Sequence, residues 1–197
     1  MANYPSTYWD QLYDQNLLGW DVGNISTPLK TYFDQLSDKS LRILVPGAGN
    51  GWEVEYLYRN GFTNTFMLDF SKSATNRFKQ RFPAFPTHHI FTEDFFEHQQ
   101  TYDLLIEQTF FSSLPISFRK AYANQVFQLL TDGGKLTGLL FNHEFPQNGP
   151  PFGGSAREYR DLFSSQFKLD TFETAHNSIK PRRGREIFII ARKKELI

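Results

Sequence analysis

The chain has 197 residues, with 21 basic side chains against 21 acidic ones. That length suits one domain with a sizeable core, and the balanced charge offers no electrostatic footprint for nucleic acid or an anionic membrane. The absence of cysteine excludes a disulfide framework, thiolate metal sites and a cysteine nucleophile.

Residues 1–40 are polar and aromatic with weak periodicity, and predict two short helices around a loop at 19–28. They lack the charged and apolar regions of a signal peptide. No apolar run in the chain approaches the roughly 18 residues of a membrane span, so a cytoplasmic protein is expected. From residue 41 an alternation begins. Strand patterns at 42–45, 65–69, 89–91, 104–107 and 135–141 are separated by helical spacings at 52–59, 73–82 and 117–130. Asp132-Gly133-Gly134 is read as the stop of the last helix. Strands alternating with helices of this length predict a parallel sheet covered on both faces. The tail differs, because strand patterns at 167–172 and 186–192 are joined by a polar, basic stretch without helical spacing. They predict a final antiparallel hairpin. The expected fold is a doubly wound, mostly parallel seven-stranded α/β sheet with that hairpin. An N-terminal lid segment (1–40) and a Rossmann-like core (41–192) would form one domain over 1–197.

Within this frame the stretch Leu41 to Gly51 is the most informative. The apolar run Ile43-Leu44-Val45 ends in a loop with glycines at 47, 49 and 51, and the helix follows at once. Such a loop lets backbone N–H groups approach a nucleotide closely. The dinucleotide fingerprint G-x-G-x-x-G/A requires a small residue at position 52, where helix and strand pack closely. That position is Trp52, which makes the loop G-x-G-x-G, the pattern expected for S-adenosylmethionine.

Three acidic residues stand at predicted strand ends. Asp69, 18 residues after Gly51, is placed to accept hydrogen bonds from ribose hydroxyls, or to cap the next helix together with Ser71. Asp94, followed by Phe95, is placed to accept from the adenine amine while Phe95 addresses the ring; a plain strand-end turn is the alternative. Glu107 ends the fourth strand beside the first. It can steady the methionine ammonium, orient the reacting groups, or lie at a surface edge.

Val45-Pro46-Gly47-Ala48-Gly49-Asn50-Gly51, Asp94-Phe95-Phe96, Thr109-Phe110-Phe111 and Gly149-Pro150-Pro151-Phe152 together resemble the thiopurine methyltransferase family, especially its halide/thiol branch. Trp9, Tyr13, Trp20-Asp21, Gly23 and Pro28 fit the same pattern, as does Arg182-Arg183-Gly184-Arg185-Glu186 before the last strand. The resemblance spans about residues 9–192. It implies a class I methyltransferase fold with S-adenosyl-L-methionine as cofactor and a small-molecule acceptor. By position it implies that Trp9, Tyr13 and Trp20 close over the cofactor. Gly47, with Gly49 and Gly51, would form the loop contact, Asp69 the ribose contact, Asp94 and Phe95 the adenine contacts, and Glu107 an acidic position at the site. Two departures are Ala48, where the family often has Cys, and Glu107, where it usually has Asp.

Methyl transfer to a soft nucleophile (a thiol, hydrosulfide, a halide or a thiopurine-like acceptor) needs alignment and water exclusion more than a base. Glu107 and Phe110 are the candidate positioning residues, and Phe111, Phe152 and Arg119 the candidate acceptor contacts, with Arg157 a weaker one. The five histidines (88, 89, 98, 143 and 176) show no ligand spacing beyond one adjacent pair, so no metal is expected. The basic run 180–185 reads as a hairpin loop or a rim over the site rather than a nucleic-acid patch, and a monomer is expected. Oxygen or nitrogen methylation, a non-catalytic cofactor-binding domain and a nicotinamide oxidoreductase are the rival readings; Trp52 argues against the last.

Overall fold

The computed structural model describes residues 4–195. Two helices come first, α1 (Ser6–Asp14) and α2 (Thr27–Phe33). Then β1 (Ile43–Pro46), α3 (Trp52–Arg59), β2 (Thr65–Leu68), α4 (Lys72–Arg81) and β3 (Ile90–Phe91) follow in strict alternation. The second half holds β4 (Tyr102–Gln108), the one-turn α5 (Phe110–Ser113), α6 (Arg119–Leu129) and β5 (Leu130–Phe141). The chain closes with α7 (Ala156–Ser164), β6 (Phe167–Thr174) and β7 (Glu186–Lys193).

The seven strands form one sheet in the order β3-β2-β1-β4-β5-β7-β6. Strands β1 to β5 pair in parallel, while β7 runs antiparallel to both β5 and β6. The expected sheet and its closing hairpin are both present. Strand order reverses between β1 and β4.

Alternation along the strands divides the core in two. Leu44, Leu68 and Leu105 face a cluster built with α6 and α7, whereas Ile43, Val45, Met67, Leu104 and Ile106 face one built with α2, α3 and α4. Burial on both faces explains why these strands read as continuous apolar runs. No helix among the described residues is long and apolar enough to cross a membrane.

Two elements depart from expectation. The helix predicted at 117–130 ends at Leu129, and β5 starts at Leu130, so Asp132-Gly133-Gly134 lies inside β5 rather than stopping a helix. Long-range pairing decides this: Leu130 pairs with Tyr102, and the Thr131 hydroxyl donates to the Tyr102 carbonyl at 3.2 Å. Helix α7 has no counterpart among the predicted elements. Its Ser155 cap accepts from the Glu158 N–H at 3.3 Å, and it buries Tyr159 and Phe163.

Candidate active site

The floor of the site is the loop after β1. Gly47, Gly49 and Gly51 all adopt left-handed backbone conformations, with φ of +57°, +56° and +70°. Each also meets a neighbour that a side chain would strike. A Cβ at Gly47 would lie 2.3 Å from the Phe110 ring, at Gly49 2.6 Å from the Tyr13 hydroxyl, and at Gly51 2.4 Å from the Phe78 ring. Gly51 is thus a packing glycine beneath α4 and is not on the cavity wall, a correction to the cofactor contact expected of it.

Asp69 holds the loop in place. One carboxylate oxygen accepts the Gly49 N–H and the other the Ser71 N–H, both at 2.9 Å. The cap of α4 is Ser71, whose hydroxyl accepts the Ala74 N–H, so Asp69 is not the helix cap. Burial pushes the Asp69 carboxyl up to about 6, opposed by those two N–H bonds and reinforced by the Asp10 charge. A carboxylate offers about four lone-pair positions, so capacity remains for ribose hydroxyls. After β3, Asp94 accepts the Phe96 N–H at 2.9 Å at the head of a short 3-10 turn, and the buried Phe95 ring meets Phe110 edge-on at 5.2 Å.

Helix α1 lies over this floor. Asp10 accepts from the Ser71 hydroxyl at 2.7 Å and the Ser73 N–H at 3.0 Å, and Asp14 accepts from the Ser73 hydroxyl at 2.8 Å. Behind them Trp9 and Tyr13 meet Trp20 edge-on at 5.5 and 5.9 Å. Asp21 accepts from the Trp52 indole at 2.8 Å and from the Asn50 amide, while Arg182 donates to the Trp20 carbonyl at 2.7 Å. Trp52 thus helps hold the segment down, with Arg81 stacked 3.9 Å over its ring.

Between lid and floor lies a cavity of about 570 Å³. Trp9, Tyr13, Trp20, Gly47, Gly49, Asp69, Asp94, Phe95 and Phe110 all border it. Its size falls in the range of small-molecule sites.

The remaining expected residues lie elsewhere. Glu107 is fully buried behind the wall, where it accepts the Phe111 N–H at 2.9 Å and the Tyr122 hydroxyl at 2.6 Å. It anchors α5 instead of facing a ligand, and burial raises its carboxyl to about 7 against those bonds. Phe111 packs in the core against Tyr122 and Tyr159. Arg119, only 4 % exposed, pairs with Glu158 of α7 and donates to the Gly153 carbonyl. Phe152 donates its N–H to the Ser112 carbonyl and is off the wall, although Pro150 and Pro151 before it are on it. Arg157 is exposed. Neither Arg119 nor Arg157 borders the cavity.

Arg182 and Arg185, from the basic run read as a hairpin loop or a rim over the site, border the cavity, as do Asp21, Glu53, Gln108 and His143, for which no role was expected. Glu53 is 6 % exposed, and the Ser26 N–H reaches it only at 3.4 Å. Burial pushes its carboxyl up to about 7. Its place in the first turn after the glycine loop was the available signal. His143 stands two residues beyond β5, a position that residue spacing alone does not mark. No cluster of potential metal ligands occurs among the described residues.

Ligands of open α/β sheets bind where strand order reverses, and here the glycine loop and cavity sit at that point. A sheet of this order closed by an antiparallel pair is the class I methyltransferase fold. It is shared with the N1-methyltransferase of 1,6-didemethyltoxoflavin from Burkholderia thailandensis, solved with S-adenosylhomocysteine (TM-score 0.72, 15 % identity, 97 % of this chain and 91 % of that one). The chain is an S-adenosylmethionine-dependent methyltransferase. It belongs to the thiopurine S-methyltransferase family, whose model matches residues 5–196. Relatives include probable thiol methyltransferase 2 of Arabidopsis thaliana, 29 % identical over 94 % of this chain and 84 % of that protein. Thiocyanate methyltransferase 1 of Brassica oleracea is 29 % identical over 90 % and 81 %.

Proposed function

We propose that the methyl acceptor is a small soft nucleophile: a thiol, hydrosulfide, a halide or a thiopurine-like sulfur. The observation that carries this reading is the aromatic group of Trp9, Tyr13 and Trp20 bordering the same cavity as the glycine loop. The names of the thiol and thiocyanate methyltransferase relatives support it. When bound, S-adenosylmethionine supplies an electrophilic methyl group on a sulfonium. Trp9 and Trp20 border the cavity and would stabilise that cation by about 0.5–2 kcal/mol and exclude water. Asp69 accepts from the ribose hydroxyls, Asp94 accepts from the adenine amine, and Phe95 packs on the ring. Glu53 takes the role expected of Glu107, as the buried carboxylate on the wall that faces the methionine ammonium. Phe110 fixes the floor against Gly47. Arg182 and Arg185, which line the same cavity as Phe141, Pro150 and Pro151, would attract an anionic acceptor. As part of the same reading the enzyme is a cytoplasmic monomer, its lid and core working as one unit, and its balanced charge supports a role without nucleic acid.

An acceptor panel with labelled cofactor tests the reading. Methylation of thiols, hydrosulfide, iodide or thiocyanate is the expected result. Turnover confined to oxygen or nitrogen acceptors, or cofactor binding without turnover, would overturn it.

A further inference from the structure

S-adenosylmethionine ends in an amino-acid group that carries an ammonium and a carboxylate on one carbon. A site that holds it must answer both signs. Glu53 is the proposed partner of the ammonium, which leaves the carboxylate without one. A carboxylate calls for a cation, and among the described residues the cavity wall offers Arg182 and Arg185. The two are set differently. Arg185 is exposed, whereas the Arg182 side chain keeps only 11 % of its surface and is braced by its neighbours. Its Nη2 donates to the Trp20 carbonyl at 2.7 Å, its Nη1 reaches Glu186 at 3.4 Å, and the guanidinium carbon lies 5.4 Å from the centre of the Phe141 ring. The loop beneath it is tied down as well, since the Arg185 N–H donates to the Arg182 carbonyl at 3.0 Å and the Arg185 carbonyl accepts the Asn142 N–H at 2.7 Å.

A guanidinium brings five N–H donors, so donors remain after those two bonds. The Glu186 contact is longer than the roughly 2.7–2.9 Å of a charge-assisted bond, so the cation is only partly answered within the protein. Asp21, the other acid near Trp20, does not compete for it. One of its oxygens accepts from the Gly23 N–H and the Trp52 indole at 2.6 and 2.8 Å, and the other accepts from the Asn50 amide. Arg182 and Glu53 are also close enough to feel each other. Burial raises the Glu53 carboxyl, and the Arg182 charge is among the influences that oppose it.

Resting on the ammonium role proposed for Glu53, we infer that Arg182 holds the carboxylate of the cofactor. An acid from α3 and a base from the loop before β7 then read the two charges of the amino-acid group. The same guanidinium braces Trp20, so carboxylate capture and lid closure share one side chain. With the cofactor seated, the pull on an anionic acceptor falls to Arg185.

The test is calorimetry at pH 8 with S-adenosylhomocysteine and its decarboxylated analogue, which keeps the adenosine, thioether and ammonium. The whole enzyme should prefer S-adenosylhomocysteine by about 30-fold, within the range of charge-assisted bonds. Arg182→Gln should lower that affinity by about 30-fold and the analogue's by no more than about threefold, so the preference disappears. Arg182→Lys, which keeps the charge but loses the fork, should retain part of it. Arg182→Gln leaves Glu186 buried without its cation, so Arg182→Gln/Glu186→Gln is measured beside it and should show the same lost preference. The ratio of the two affinities in one preparation does not depend on how much of the variant is folded. Equal losses on both ligands would reduce Arg182 to a brace for the lid, and a wild-type enzyme that binds the two alike would leave the carboxylate unread. Either result overturns the assignment. Glu53→Gln should weaken both ligands alike and spare 5′-methylthioadenosine, which lacks both charges. If it has no effect, the ammonium contact fails, and the Arg182 ratio still decides the carboxylate contact.

Discussion

The lid and the floor of this cavity are built by opposite means. The floor rests on β1, whose four residues are all buried, and on β4, buried over most of its length. The lid, from α1 to Asp21, buries Tyr13 but leaves Trp9, Trp20 and Asp21 half-buried. It is held by hydrogen bonds that Asp10, Asp14 and Asp21 accept and by one that Arg182 donates. Buried apolar area stabilises by roughly 25 cal/mol per Å², whereas a single hydrogen bond adds only about 0.5–1.5 kcal/mol net. The reading proposed for this cavity therefore makes the floor its preformed part and the lid the part that would open. Segments with few buried contacts open at the lowest free energy.

Changes on the floor have the largest expected effects. Gly47→Val places a branched side chain at a left-handed φ and into the Phe110 ring. Cofactor affinity by calorimetry should fall more than about 100-fold, beyond the roughly 2.7 kcal/mol that a factor of 100 represents. Unchanged binding would remove the loop from the site.

Lid changes should be milder and should leave the sheet intact. Trp20→Ala should weaken cofactor binding by about tenfold, within the cation–π range, with little change in the Tm of the free protein. A large fall in that Tm, with cofactor affinity preserved, would make the aromatic group a core cap instead.

Glu53→Gln separates charge from shape. In the free protein burial pushes this carboxyl up to about 7. A cationic ligand favours its ionised form, so wild-type affinity should increase as pH rises through 7 and level off above it. The neutral variant should lose that slope and bind about fivefold to tenfold more weakly at pH 8, as expected for one charge-assisted hydrogen bond. Parallel pH profiles for the two proteins would refute the ammonium contact.

Asp10→Ala should give the smallest change. It removes two bonds to the start of α4, and about a threefold to fivefold loss of cofactor affinity is expected. It also removes a charge that raises Asp69.

The parallel sheet could be read ahead because strands buried on both faces leave runs such as Ile43-Leu44-Val45. The floor was readable for a similar reason, since backbone constraint at Gly47 and Gly49 and a strand-end acid at Asp69 are local signals. The far wall was not. Glu107 stops one residue short: in a strand successive side chains face opposite ways, so Gln108 borders the cavity while Glu107 enters the core. Phe110 and Phe111 part for a different reason, the roughly 100° turn between successive residues of α5. Arg119 is drawn away from the site by Glu158 of α7, a helix that leaves little local signal. That helix buries just Tyr159 and Phe163, and a Gly- and Pro-rich stretch at 146–154 precedes it, so the Ser155-x-x-Glu158 cap was its clearest local mark. The start of β5 depends on Tyr102, 28 residues away from Leu130, which no local pattern announces.

The most direct test of a movable lid over a fixed floor is amide hydrogen exchange with and without S-adenosylhomocysteine. The account predicts fast exchange in α1 (Ser6–Asp14) of the free protein and strong protection of it on binding, while β1 and β4 stay protected throughout. Protection of α1 equal to that of β1 before any ligand is added, or no gain on binding, would contradict it.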